Sequence, residues 1–408
     1  MYYQARFWLR FSVFNLLIVA LVGLLMRYKI AFEFPYLNQK NLQHAHSHFA
    51  FSGWISHTLM VLMIYVLSKK INANALFSKK YVRLLSAHLV CAYGMLLFFT
   101  VQGYALFSIV FSSLSVVLSY VFAAWFWRDS KKWLVTQTSG LWFRAALFFN
   151  VISSIGTFAL AYMMATKNIH QNEYLSSIYY YLHFQYNGWF FFACMGLLLE
   201  FLKPTLVHQK MYRQCFWALC ASCIPAYGLS ILWLDLPIFV YLIVVLAALV
   251  QLLAWLKILQ LLVRNEQNKF SGLPTHLRVI FGLVAAALTV KLTLQLVSVI
   301  PSVSQLAFGF RPIVIAYLHL VLLVIISLFL LSYVWANNLF NESFGLKKSF
   351  IVFATGVVIN EFILGVQGIA SFSYTLIPWL NELLLLAALV ITAGLMGMTW
   401  FVLSKKNY

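Results

Sequence analysis

The chain has 408 residues, of which 63% are hydrophobic and 9% charged, against about 25% charged residues in an ordinary soluble domain. This composition excludes a soluble globular protein, and the net charge of +19 needs no nucleic acid to explain it once the basic residues are placed beside a membrane. The five cysteines, Cys91, Cys194, Cys215, Cys220 and Cys223, all fall in apolar stretches, which excludes an extracellular disulfide framework.

A helix needs about 20 consecutive apolar residues to cross the hydrocarbon core. Twelve such runs occur, near 7–26, 45–68, 81–101, 104–127, 142–165, 174–201, 212–233, 237–261, 278–300, 312–337, 348–371 and 379–403. They are continuous, unlike the short alternating segments of a membrane barrel, so the predicted fold is an all-α polytopic membrane protein with twelve transmembrane helices in a single membrane domain over 1–408. The first run lacks a small-residue cleavage site and is expected to be a span and not a cleaved leader.

Basic residues collect in alternate loops. With the N-terminus inside, twenty-two lie on the inner side, among them Arg6, Lys69, Lys79, Lys132, Lys257, Lys405 and Lys406, and five on the outer side: Arg27, Lys29, Lys40, Lys167 and Arg311. Lysine and arginine are retained in the cytoplasm, so both termini are expected there, in a bacterial-type inner (plasma) membrane whose lipid is the chain's first partner. Lys291 alone falls inside a span.

In chain order, the first span carries Arg10 and Asn15. The second opens with HAHSHFAFSGW, holding His44, His46 and His48, then Gly53, Trp54 and, deeper, His57. The third carries His88, and the fifth Arg144 and Asn150. The sixth contains HFQYNGW, with His183, Gly188 and Trp189. The seventh carries Cys220 and Cys223, which could hold a soft metal but read more simply as small buried hydrophobes. The ninth contains Arg278 and Lys291, the tenth HLVLLVI with His319, and the eleventh Glu361.

These landmarks recur. Arginine opens spans 1, 5 and 9 at residues 10, 144 and 278, in WLRFSVFN, WFRAALFFN and HLRVIFGL. Histidine stands early in spans 2, 6 and 10 at residues 48, 183 and 319, and KKYVRLL, KMYRQCF and KKSFIVF open spans 3, 7 and 11. Four spans return the chain to the same side, so units of about 1–135, 136–270 and 271–408 are predicted as parallel repeats. The arginines read as snorkelling to headgroups, and Asn15 and Asn150 as hydrogen bonds between helices.

Histidine inside a membrane helix is costly and faces a cavity, a cofactor or a partner, and imidazole ligates iron, copper and zinc. The trio His48, His183 and His319 is therefore predicted at similar depth around a shared interior. At about 100° per residue, His44 and His48 share a helix face while His46 points elsewhere. His48 is preferred as the ligand because the repeat selects it; His44 and His46 would bind an outer metal or hydrogen-bond headgroups and propionates. Gly53 with Trp54, and Gly188 with Trp189, would let a helix or flat macrocycle approach beside an apolar wall; the third repeat has Val324 and Ile325 instead. His57, nine residues beyond His48, is placed near the opposite face, and with His88 could form a second metal or proton-relay pair. Lys291 and Glu361 could mark a proton path, and would neutralise each other if they met.

Twelve helices in three groups of four, with histidines on helices 2, 6 and 10 near the outer face, resemble subunit I of the haem-copper oxidases and nitric-oxide reductases, and the haem-bearing NnrS-like proteins. That resemblance implies a low-spin haem b ligated by His48 (or His46) and His319, a copper slot at His183, an electron-donor protein or quinol as partner, and a role in electron transfer or in nitric oxide or oxygen interaction. Two departures follow from the sequence. The stretch 215–233 contains no histidine, and Tyr317 stands two residues before His319 where the family has a second histidine, so an oxidoreductase of this kind would have an incomplete binuclear centre. The open alternatives are a transporter or channel with a polar or metal path through the repeats, and a structural subunit without cofactors.

Overall fold

The computed structural model describes residues 2–71, 78–131 and 138–404; the expected inner-face Lys132, Lys405 and Lys406 lie outside the described residues. Helix makes up 88% of it, with no strand among the described residues. The helices are α1 (Tyr2–Ala31), α2 (Gln39–Phe49), α3 (His57–Ile71), α4 (Lys79–Gln102), α5 (Leu106–Asp129), α6 (Thr138–Thr166), α7 (Gln171–His183), α8 (Phe191–Leu202) and α9 (Leu206–Cys223). There follow α10 (Ile238–Asn265), α11 (Gln267–Ser271), α12 (Thr275–Val297), α13 (Pro301–Gly309), α14 (Arg311–His319), α15 (Leu328–Ala336), α16 (Phe344–Phe372) and α17 (Leu380–Ser404). π-Helical turns join α2 to α3 (Ala50–Ser56), α7 to α8 (Phe184–Phe190) and α14 to α15 (Leu320–Ser327).

Among the described residues, ten helices are long and apolar enough to cross a membrane, or eleven if α9 and the bent 3-10 segment Pro225–Ile231 form one span. By length and composition the chain is a multi-pass membrane protein. The expectation of twelve exceeds this count for physical reasons. The run expected at 174–201 is helical throughout 171–202, but Gln185, Asn187 and several tyrosines make its N-terminal half too polar to qualify. The run at 212–233 is bent by 46° before Pro225, whose ring removes a helix hydrogen bond.

Local signals set the helix ends. The Asn38 side chain accepts from the backbone N–H of Lys40 and Asn41 at 2.9 and 3.1 Å, which caps α2. At the other side of the same cluster α4 stops at Gly103, whose φ of 64° and ψ of −142° belong to a region open essentially to glycine alone. That turn places Tyr104 against the start of the second span.

The helices group into two compact units, one of Met1–Phe126 with Leu330–Tyr408 and one of Trp127–Phe329. In the first, α1 packs on α17, α2, α3 and the π turn at 50–56, and α4 packs on α2 and the same turn. In the second, α6 packs on α7, α8 and the π turn at 184–190, α12 packs on α10 and the π turn at 320–327, and those two π turns touch.

Candidate functional site

Each histidine of the repeated trio stands at the entry of a π turn. His183 and His319 immediately precede theirs and His48 precedes its own by two residues; the turns start at 50, 184 and 320, intervals of 134 and 136. A π turn takes in one residue more than an α turn and marks functional sites. Nothing in the sequence announces it, since HLVLLVI shares neither the glycine nor the tryptophan of the other two segments.

In the first unit the clustered histidines part as their spacing predicts. His48 stacks on Phe99 with centroids 4.3 Å apart, and its Nε2 lies 3.0 Å from the Tyr104 hydroxyl. His44 meets the Tyr104 ring edge to face at 4.7 Å, and its Nε2 is buried with no hydrogen-bond partner. His46 turns instead to α1, where its Nδ1 lies 3.1 Å from the Val19 carbonyl and its ring packs over Gly23. A ring nitrogen facing a carbonyl must carry the proton, so the lone pair of His46 sits on Nε2. Tyr104 was invisible to sequence reasoning, because a tyrosine in a loop carries no signal until the turn at Gly103 brings it to the histidines.

Asn15 bridges helices as expected. Its Nδ2 donates to the Gly53 carbonyl inside the π turn at 2.6 Å, and its Oδ1 accepts from the Tyr93 hydroxyl at 2.6 Å. Gly53 gives room to the ring of Phe49, which a Cβ would approach to 2.7 Å, and Trp54 is buried.

The face of His57 differs from the sequence expectation. The π turn between His48 and His57 offsets everything after it by about one residue, or 100°, and His57 consequently faces α4 and α1. Its ring lies 6.2 Å from that of His88, 13° from parallel, and 5.8 Å from that of Trp8.

In the second unit His183 is the centre of a buried chain of hydrogen bonds. Its Nε2 donates to the Cys223 carbonyl at 2.9 Å, which leaves Nδ1 to accept from Asn187 Nδ2 at 3.1 Å. Asn187 Oδ1 accepts from Lys291 Nζ at 2.6 Å. Copper at His183 would displace one of these bonds. Nearby, Gln185 Nε2 donates to Asn150 Oδ1 at 3.1 Å and to Ser153 Oγ at 2.8 Å, so Asn150 also serves a π turn, as Asn15 does. Gly188 lies against Phe149 so closely that a Cβ would come within 2.5 Å of the phenylalanine Cβ, and Trp189 is fully buried.

His319 Nδ1 lies 2.8 Å from the Ile315 carbonyl one turn back, which again leaves the lone pair on Nε2. Tyr317, in the position where the resembled family has its second histidine, meets the Tyr186 ring edge to face at 6.1 Å. Glu361, on α16 in the first unit, accepts from Asn360 Nδ2 at 3.2 Å. The repeated arginines make different contacts: Arg10 lines a small cavity with Arg6, Arg144 lies 5.1 Å above the Trp127 ring, and Arg278 donates to Thr275 at 3.1 Å.

Among the described residues no group of three or more His, Cys, Asp or Glu side chains is arranged to hold a metal ion, and all five cysteines are free. Searched against models of known protein families the chain matches none, and no curated protein matches its sequence.

Proposed function

We propose that the chain is a haem-binding integral membrane protein of the bacterial-type inner membrane, built from three four-span repeats with both termini cytoplasmic, and acting in electron transfer or in the response to nitric oxide or oxygen. The observation that carries this reading is the anchoring of His46 and His319. Each has Nδ1 against a backbone carbonyl, at 3.1 and 2.8 Å, which is how a metal-ligating histidine is oriented and held in the right tautomer. The donor set fits haem iron, which takes neutral imidazole nitrogen in low-dielectric surroundings. His46 in the first unit and His319 in the second are each candidate iron ligands. His48 is engaged by Tyr104.

A bound haem would supply one-electron redox chemistry. The residues themselves orient the ligating rings, through Val19 and Ile315, and keep the surroundings apolar. Both nitrogens of His183 are taken by hydrogen bonds, so this reading assigns it no copper.

The test is spectroscopic. Detergent-purified protein is expected to show a Soret band that shifts on reduction with dithionite, lost in His46→Ala and His319→Ala and retained in His48→Ala. A folded but colourless preparation, or a spectrum that survives both substitutions, overturns the reading. The buried Lys291–Asn187–His183 chain favours a second reading, a transporter or channel with a polar path. Colourless protein that moves protons or metal ions in proteoliposomes, and is blocked by Lys291→Met, would support it.

A further inference from the structure

Arg6 and Arg10 stand four residues apart on α1, so their side chains leave the same face of the helix. With Asn341 they line a small cavity in the first unit whose other walls are apolar, among them Leu346 of α16 and Phe401 of α17. Among the described residues that line it none is acidic. Glu342, next to Asn341 in the chain, has its carboxylate turned to Trp335, whose Nε1 donates to it at 3.0 Å.

Arg6 is held in place by the end of α15. One of its Nη atoms donates to the Asn338 carbonyl at 2.9 Å, where the chain leaves that helix with Asn338 at a φ of 55°. Its Nε is buried with no hydrogen-bond partner. Buried polar atoms are paired in the great majority of cases, and an orphaned guanidinium donor at the wall of a cavity without acidic lining calls for an anion. α16 begins at the same place, since Leu346 lies in its first turn, and the positive end of a helix adds to that preference.

The walls select the kind of anion. The enclosed part of the cavity, about 20 Å³, has room for one water-sized group, which is the size of a single oxyanion oxygen; the rest of a ligand must lie in the mouth. Guanidinium groups match phosphate oxygens in a fixed fork geometry. The apolar walls would stay wet around inorganic phosphate, whereas a lipid brings its own apolar chains to cover them. A quaternary ammonium on the same headgroup would be repelled by the two arginines, so the lipid is one of net negative charge. We propose that this cavity binds the phosphate of an anionic phospholipid on Arg6 and Arg10. Snorkelling arginines meet whichever headgroup is near; this site is selective and holds one lipid, and it does not rest on the haem reading.

The full-length protein in detergent is given phosphatidylglycerol or phosphatidylcholine, with and without a large excess of inorganic phosphate, and the lipid it retains is read by native mass spectrometry. About one phosphatidylglycerol per chain is expected, with phosphatidylcholine held at least tenfold more weakly and inorganic phosphate unable to displace the lipid. Arg6→Gln and Arg10→Gln should each weaken phosphatidylglycerol retention about tenfold, the loss of one charge-assisted hydrogen bond, whereas Arg278→Gln, on α12 in the second unit, should leave it unchanged. Equal retention of the two lipids, displacement by inorganic phosphate, retention undiminished in both α1 variants, an equal loss in Arg278→Gln, or no retained lipid overturns the proposal. If neither α1 variant accumulates, the lipid selectivity and phosphate competition of the unmodified protein decide it.

Discussion

Lys291 and Asn187, 104 positions apart in the chain, meet in the interior of the second unit, with Nζ 2.6 Å from Oδ1. Lys291 is 6% exposed, and a buried amine is tolerated only where its protons find acceptors. The amide of Asn187 serves two partners at once: its oxygen takes the lysine and its nitrogen holds His183. The π turn at 184–190 makes this possible by turning Asn187 inward.

Asn187→Leu should therefore be more damaging than removal of the lysine itself. It leaves both Lys291 and His183 Nδ1 without their partner, at a cost of about 3 kcal/mol. Lys291→Met removes the costly group and is expected to stay within about 1 kcal/mol of the parent. Thermal unfolding in detergent checks this, and in the double variant the part of the Asn187→Leu penalty that comes from the orphaned Lys291 should disappear while the part from His183 Nδ1 remains.

Asn15 closes the equivalent arrangement in the first unit. Asn15→Leu orphans the Gly53 carbonyl and the Tyr93 hydroxyl, with an expected loss of about 1–3 kcal/mol. Amide hydrogen exchange should accelerate over 50–56 ahead of the rest of the second span. Unchanged exchange there would show that the π turn does not depend on this bond.

The two Gly-Trp pairs should respond unequally to added bulk. Alanine at Gly188 meets the Cβ of Phe149, an atom fixed to the α6 backbone, so helices must separate at a cost of about 1–3 kcal/mol. Alanine at Gly53 meets the far edge of the Phe49 ring, which can swing aside. Gly188→Ala should lower the unfolding midpoint by clearly more than Gly53→Ala.

Gly103→Ala tests the cluster of His44, His48 and Tyr104. Its φ of 64° lies where a Cβ is strained, by about 1–3 kcal/mol, and the added methyl would come within 2.5 Å of Asn41 Oδ1. Displacing Tyr104 in this way should reproduce the effect of Tyr104→Phe on the His48 ring, read as the same shift of the His48 resonances in histidine-labelled protein. A different shift in the two variants would separate the turn from the hydrogen bond.

Much of the architecture is legible in the residues alone because a bilayer is a demanding solvent. It requires about 20 apolar residues per crossing, so the limits of the long helices follow from hydropathy, and His44 and His48 share a face because an uninterrupted helix has a fixed turn. The helical stretch over 171–202 eludes that rule: Gln185 and Asn187 lower its hydropathy, and their hydrogen bonds go to Asn150, Ser153, His183 and Lys291.

What tertiary structure alone decided is where the imidazoles point and what they touch. Sequence spacing assumes one helical pitch, and the three π turns break it by a single residue each, enough to bring His57 round to His88. The tautomer of His46 depends on a carbonyl 27 residues away, at Val19, and the engagement of His48 on a tyrosine 56 residues away. Length and apolarity are local sums along the chain and can be counted. Partners and ring orientation are set by distant segments packing together, which no local count contains.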